Sequence, residues 1–261
     1  MLISDRNGFI FIRIPKTAGT SISRALAPYA NARTLSPWRA VERALPVRVC
    51  AERAWFEMHD TAAFVKAKLP ERDFQRYFRF AFVRSPYSHA YSHYQFLKHY
   101  RYRHYARQVA RMSFLDYLHW RIDGAQRPSK TRVQRFVFMG DQAHYIRAPN
   151  GELLVDFVGR FEQVEADLQR IADHLRIPRP PLTHKRRGRY SVTPAPERLH
   201  ADVLSAIHWL YARDFDLFDY TRIDRPSASP EGDIRSADSD IRCSGHGPTG
   251  PFSALLAPLR R

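Results

Sequence analysis

The sequence predicts an α/β fold in three layers, with a central, mainly parallel sheet flanked by helices. Two kinds of observation predict it. Short apolar runs with strand character stand at residues 8–14, 77–84 and 153–158, and a helical pattern follows each of them. Strands that alternate with helices pair in parallel and become covered on both faces. Ligands of such sheets bind at the loops beyond the carboxyl ends of the strands.

The first strand, residues 8–14 (GFIFIRI), is rich in Phe and Ile, and residues 21–27 read as the helix that follows its loop. Residues 55–59 (WFEMH) form a short strand-like run ending in His59. A helix then covers DTAAFVKAKL, with Asp60 or Thr61 as its N-cap. After the strand YFRFAFVR at residues 77–84, Pro86 stands in a first helical turn, and the helix continues for several turns through residues 85–111. Ser113-x-x-Asp116 is a capping box. The strand at 153–158 leads into a helix over 164–175. Residues 178–196, rich in Pro and basic residues, read as a loop over the site, and residues 197–220 as a closing amphipathic helix. Beyond Arg225, residues 226–250 are rich in Ser, Gly, Pro and Asp and offer too little apolar surface to offset their ordering entropy. One domain over 1–225 with a disordered tail over 226–261 is the expected organisation, and no solenoid repeat is visible.

A chain of 261 residues with 44% hydrophobic content can bury one sizeable core. Lys and Arg number 42 against 26 Asp and Glu, a formal charge of +16 that points to an anionic partner. Such a charge would also draw the protein to an anionic membrane surface. Cys50 and Cys243 are too few for a disulfide framework and lie in no C-x-x-C pair, which fits a reducing compartment. No signal peptide or apolar run long enough for a membrane span is present, so a cytoplasmic enzyme is expected. A truncated luminal domain would read the same.

The loop between the first strand and helix reads Pro15-Lys16-Thr17-Ala18-Gly19-Thr20-Ser21. Small residues let backbone N–H groups converge on an anion at a helix N-terminus, Thr17, Thr20 and Ser21 add hydroxyls, and Lys16 adds a mobile cation. Ser, Thr and Gly before a helix also serve as ordinary caps. An ATP-type loop needs G-x-x-x-x-G before its Lys and Ser or Thr, and here the lysine precedes the glycine. The second motif stands eight residues wide: Arg84 ends a strand, and Ser92 lies about two turns into the next helix. An arginine fork and a serine hydroxyl suit a terminal phosphate.

Together, IPKTAGTS and the downstream FVRSPYSHAYSHY closely resemble the nucleotide-binding signatures of sulfotransferases that use 3′-phosphoadenosine 5′-phosphosulfate (PAPS), particularly the carbohydrate group that modifies glycan hydroxyls. The likeness covers most of residues 9–220. It implies a P-loop-like three-layer fold, PAPS as donor and adenosine 3′,5′-bisphosphate (PAP) as product. Carried over by position, Lys16, Thr17, Ala18, Gly19, Thr20 and Ser21 would hold the 5′-phosphosulfate, and Arg84 and Ser92 the 3′-phosphate. THKRRGRYS falls where the family closes a basic loop on the nucleotide, which adds Lys185, Arg186, Arg187 and Arg189. VDFVGRFEQVEADLQRIADHL and YARDFDLFDY look like the family's strand-to-helix segment and last element.

Sulfuryl transfer needs an acceptor hydroxyl in line with the breaking S–O bond, a base for its proton and positive charge on the departing oxygen. The transferring group carries less negative charge than a phosphoryl group, so lysine and backbone donors can suffice and no metal is required. Lys16 is the candidate for the bridging oxygen and His59 for the base, His59-Asp60-Thr61 being similar to the H-x-T setting of related carbohydrate enzymes. Asp60 and Glu57 are the alternative bases. The acceptor would be a hydroxyl of a polysaccharide, oligosaccharide or glycolipid, anionic or neutral. Tyrosines between Arg84 and Arg111 would stack on sugar rings, and Arg84, Lys98, Arg101, Arg103, Arg107 and Arg111 would meet its acidic groups, unless these aromatic residues belong to the core. Two rivals remain. LLVDF resembles a Walker B strand ending in Asp156, which would suit a P-loop kinase or NTPase. The charge alone would suit a nucleic-acid-binding protein, although no recognised nucleic-acid motif accompanies it and no such partner is expected.

Overall fold

Apolar residues fill both faces of the central strands, and that decides the layering. The computed structural model describes residues 1–31, 37–182 and 194–224. Along them run β1 (Leu2–Ser4), β2 (Phe9–Ile12), α1 (Gly19–Leu26), α2 (Pro37–Ala44), α3 (Ala62–Lys68), α4 (Glu71–Arg76), β3 (Phe78–Val83) and α5 (Pro86–Lys98). There follow α6 (Arg103–Ala110), α7 (Phe114–Ala125), α8 (Arg132–Val137), β4 (Phe157–Arg160), α9 (Val164–Leu175), α10 (Ala201–Leu210) and α11 (Ala212–Phe218). The strands form one sheet in the order β1-β2-β3-β4. β2, β3 and β4 are parallel, and β1 adds an antiparallel edge.

Side chains alternate across each strand. Phe9, Phe11, Phe80 and Phe82 enter one layer with Ile22 and Leu26 of α1 and Leu168 and Ile171 of α9. Ile10, Ile12, Ala81 and Val83 enter the other, beneath Val65 of α3 and Phe74 of α4. The Phe11 and Phe80 rings stack at 5.2 Å. A Cβ at Gly159 on β4 would come within 2.6 Å of the Phe82 ring, so this position needs glycine. A third cluster, built by α5, α7, α10 and α11, lies beside the sheet and buries Tyr87, Tyr91 and Tyr94. Those three tyrosines are core and present no face to a glycan.

Capping sets several boundaries. Thr61 caps α3 by accepting from the Phe64 N–H, and Ser113 and Asp116 form the expected reciprocal box. A second box, Thr131 with Gln134, opens α8 and escapes a reading centred on apolar runs. Four expected elements are corrected. Residues 54–57 carry no strand, and His59 stands in a turn. The long helix over 85–111 breaks after Lys98 and restarts at Arg103. The third parallel strand begins at Phe157, while Leu153 only bridges to Arg147. The closing helix starts at Ala201 and bends at Tyr211.

Residues 226–261 lie outside the described residues, as does most of the loop at 178–196. Among the described residues no helix is long and apolar enough to cross a membrane, and no group of three or more His, Cys, Asp or Glu is placed to hold a metal ion.

Candidate active site

Beyond Ile12 the chain leaves β2 through Arg13, Ile14 and Pro15 and tightens. Lys16 and Ala18 both adopt left-handed backbone, with φ of 67° and 60°. Each costs a non-glycine residue about 1–2 kcal/mol, and such strain persists only where the surroundings enforce it. Alternating left-handed residues before a helix turn successive N–H groups toward one concave side, a geometry suited to an anion. Ala18 occupies the N-cap of α1 without a side chain able to cap it. The Thr17 hydroxyl donates to the Ile14 carbonyl at 3.1 Å and is wholly buried. Arg13 runs along the start of α1, where its Nη2 donates to the Thr20 hydroxyl at 2.6 Å. A Cβ on Gly19 would sit 2.6 Å from the Arg13 side chain.

Arg84 follows β3 at the same sheet edge. Its Nε donates to the Ser88 hydroxyl at 2.8 Å, and its guanidinium lies 4.2 Å over the Phe161 ring. One Nη1 reaches the Lys16 carbonyl at 3.5 Å, so the two motifs touch. Gln142 grips the Arg84 backbone twice: it accepts from the N–H and donates to the carbonyl, both at 2.8 Å. Burial lowers the Arg84 pKa, yet a guanidinium stays charged in this range. The result is a desolvated cation held in place before any ligand arrives.

His59 reaches the edge from its turn because its Nδ1 lies 2.8 Å from the Arg13 carbonyl oxygen. A carbonyl only accepts, so Nδ1 bears the proton and Nε2 keeps its lone pair. Burial, and behind it the charges of Arg13 and Arg132, lower the His59 pKa to about 4 despite that carbonyl. The ring is therefore neutral at pH 7. Phe136 lies 6.1 Å from it. The two carboxylates that compete as bases are engaged elsewhere. Asp60 forms a fork with Arg43 at 2.5 and 2.8 Å, and Glu57 pairs with Arg132 at 2.5 Å. Neither lines the cleft.

That cleft has a volume of about 860 Å³ and is lined by Lys16, Ala18, Gly19, Thr20, Ser21, His59, Arg84 and Ser92. Thr17 does not line it. Lys185, Arg186, Arg187 and Arg189 lie outside the described residues. Sequence reasoning missed Arg13, Arg24, Met58, Phe96, Phe136 and Phe161, which also line the cleft. A basic residue two places before the Pro-Lys pair was a usable signal for Arg13. The aromatic residues had none, since core and cleft draw on the same residue types. Lys16 Nζ lies 4.3 Å over the Phe96 ring. Glu162 faces the cleft too, but its carboxylate accepts from the Ser85 N–H at 2.8 Å and the Tyr220 hydroxyl at 3.0 Å.

The Walker B reading of Asp156 has no counterpart here. Asp156 precedes β4, at the strand end opposite the cleft, where it forms a two-pronged pair with Arg79 at 2.5 and 2.9 Å. No curated protein and no solved structure matches the chain. The family model described as the sulfotransferase family does match, over residues 1–221, a span that contains every described strand, the strained loop, Arg84 and His59. With the lysine ahead of its glycine and an arginine at the next strand end converging on one cleft, the chain belongs to the sulfotransferase family.

Proposed function

We propose that this sulfotransferase moves the sulfuryl group of PAPS to a carbohydrate hydroxyl by in-line transfer. One observation carries the reading: Lys16, Arg84 and His59, whose Nδ1 is taken by the Arg13 carbonyl, share a single cleft at the carboxyl edge of the sheet. When bound, PAPS supplies an activated sulfuryl group on a phosphate leaving group. Backbone N–H groups of the strained loop, with Thr20 and Ser21, would cradle its 5′ end. The Lys16 ammonium, which stands over the Phe96 ring, would meet the departing oxygen, and the buried Arg84 fork, with Ser92, the 3′-phosphate. His59 Nε2 takes the acceptor proton, and the Arg13 carbonyl holds the ring in the required tautomer. Burial, and behind it the surrounding positive charge, lower the basicity of His59, and an anionic donor in the cleft would offset the charge.

The wall beside His59 supports a sugar acceptor. Met58, Phe96 and Phe136 offer flat apolar surface with few polar groups, as small-molecule clefts commonly do, and exposed Arg24 at the rim suits an acidic substituent. The test is thermal stability with nucleotides. PAP should raise the melting temperature at sub-millimolar concentration in EDTA as well as in Mg²⁺, and PAPS should then label a glycan panel. Equal stabilisation by ATP-Mg²⁺ with none by PAP would overturn the donor assignment.

A further inference from the structure

Hydrogen bonds that leave the junction of α10 and α11 run to both halves of the anion site. His89 on α5 is wholly buried, with Nε2 2.9 Å from the Pro15 carbonyl and Nδ1 2.8 Å from the Tyr211 hydroxyl. A carbonyl only accepts, so Nε2 carries the proton and Nδ1 accepts from Tyr211. The Tyr211 oxygen accepts in turn from Arg121 Nη1 at 2.7 Å. The remaining Arg121 nitrogens donate to the Met139 and Gly140 carbonyls at 2.7 and 2.9 Å. Donors and acceptors thus line up in one direction, from Arg121 to Pro15. Burial, and then the Arg121 charge, keep the His89 pKa well below its ordinary value, so this direction holds at neutral pH.

Three residues beyond Tyr211, buried Asp214 receives three N–H groups. Gln142 N and Nε2 both donate to Oδ2 at 2.9 Å, and Ala143 N donates to Oδ1 at 2.9 Å. This is the Gln142 whose side chain grips the Arg84 backbone. Neither Tyr211 nor Asp214 lines the cleft.

We propose that Tyr211 and Asp214 are the positioning residues of the anion site: Tyr211 holds the Lys16 loop through His89 and the Pro15 carbonyl, and Asp214 holds Arg84 through Gln142. Two left-handed residues need such a tether, because a loop with free ends would relax them. The last helices among the described residues therefore help to assemble a site whose proposed ligand contacts lie far earlier in the chain. The inference deepens the donor reading above and rests on it for the choice of ligand.

The experiment uses the full chain with PAP and with adenosine 5′-monophosphate, which lacks the 3′-phosphate. Tyr211→Phe keeps the ring and removes the hydroxyl, and should weaken both nucleotides by roughly tenfold, the scale of a buried hydrogen bond left incomplete. Asp214→Asn should weaken PAP by a similar factor and the monophosphate far less. His89→Gln places an amide nitrogen near the position of Nε2 and should retain more affinity than His89→Asn, which reaches only the position of Nδ1. Amide hydrogen exchange at residues 16–20 should quicken in Tyr211→Phe and His89→Asn, and stay unchanged in Asp214→Asn. The positioning roles are overturned if Tyr211→Phe keeps PAP affinity within about twofold with unchanged exchange at 16–20, or if exchange rises evenly across the sheet. Should the unmodified protein fail to bind PAP, the donor reading falls and the role of Asp214 falls with it, while the exchange pattern alone still decides the role of Tyr211.

Discussion

The two walls of the cleft are built on opposite principles. On one side the Lys16 loop and Arg84 offer charge and N–H donors that are fixed in advance by strain, burial and hydrogen bonds. On the other, Met58, Phe96 and Phe136 offer apolar surface around a single neutral imidazole. A wall of donors suits an anion and would repel a cation, whereas the aromatic wall discriminates by shape and supplies one proton acceptor. Lys16 belongs to both, since its backbone shapes the loop and its ammonium rests on Phe96. The proposed transfer from an anionic donor to a hydroxyl would need this division, because a base beside anion-binding groups works only when it stays unprotonated.

The sharpest way to break the division is His59→Ala. Turnover should fall by roughly 100-fold or more while PAP affinity stays within a few-fold, since a general base contributes about that much and in the proposed mechanism the ring would meet the acceptor and not the nucleotide. Near-normal turnover on the true acceptor would remove histidine from the mechanism. The same residue sets a pH expectation. With its pKa lowered to about 4 in the folded free enzyme, kcat/KM should show no histidine limb near pH 6.5 and should fall only in more acidic solution. Stability follows the same sign. The unfolded chain binds this proton first, so His59 destabilises the fold as pH drops from about 6.5 toward 4.

Arg84→Ala tests the charged wall from the other side. PAP binding should weaken by about 1.5–3 kcal/mol, and binding of a nucleotide lacking the 3′-phosphate much less, as measured by calorimetry. Equal losses would make Arg84 a packing residue against Phe161. A smaller effect separates the walls again: Phe136→Leu should raise the acceptor KM by roughly 2- to 10-fold, the worth of about 0.5–1.5 kcal/mol of ring contact, and leave PAP affinity unchanged. The smallest effect is a gain. Ala18→Gly relieves left-handed strain at the cost of a looser unfolded chain, so the melting temperature should rise by the equivalent of at most about 1 kcal/mol. A loss of stability there would mean that Ala18 is not strained in solution.

Local physics made much of this legible in the sequence. The runs at 8–14 and 77–84 are apolar on both faces, which only a covered parallel sheet accommodates, and the Pro-Lys-Thr-Ala-Gly order and Arg84 stand at fixed distances from those strands. Thr61, Ser113 and Asp116 act within one helical turn, so their caps were legible too. What the tertiary structure decided involves partners far apart in sequence. His59 meets the Arg13 carbonyl across 46 positions, His89 meets Tyr211 across 122, and Gln142 meets Arg84 across 58. Residues 55–59 read as a strand because their composition is apolar, yet no neighbouring strand offers them a ladder. Thr17 read as a ligand hydroxyl because it is a threonine in an anion loop, and the turn claims it for the Ile14 carbonyl. Periodicity and composition report what a segment can bury, and packing alone decides which atom each polar group will face.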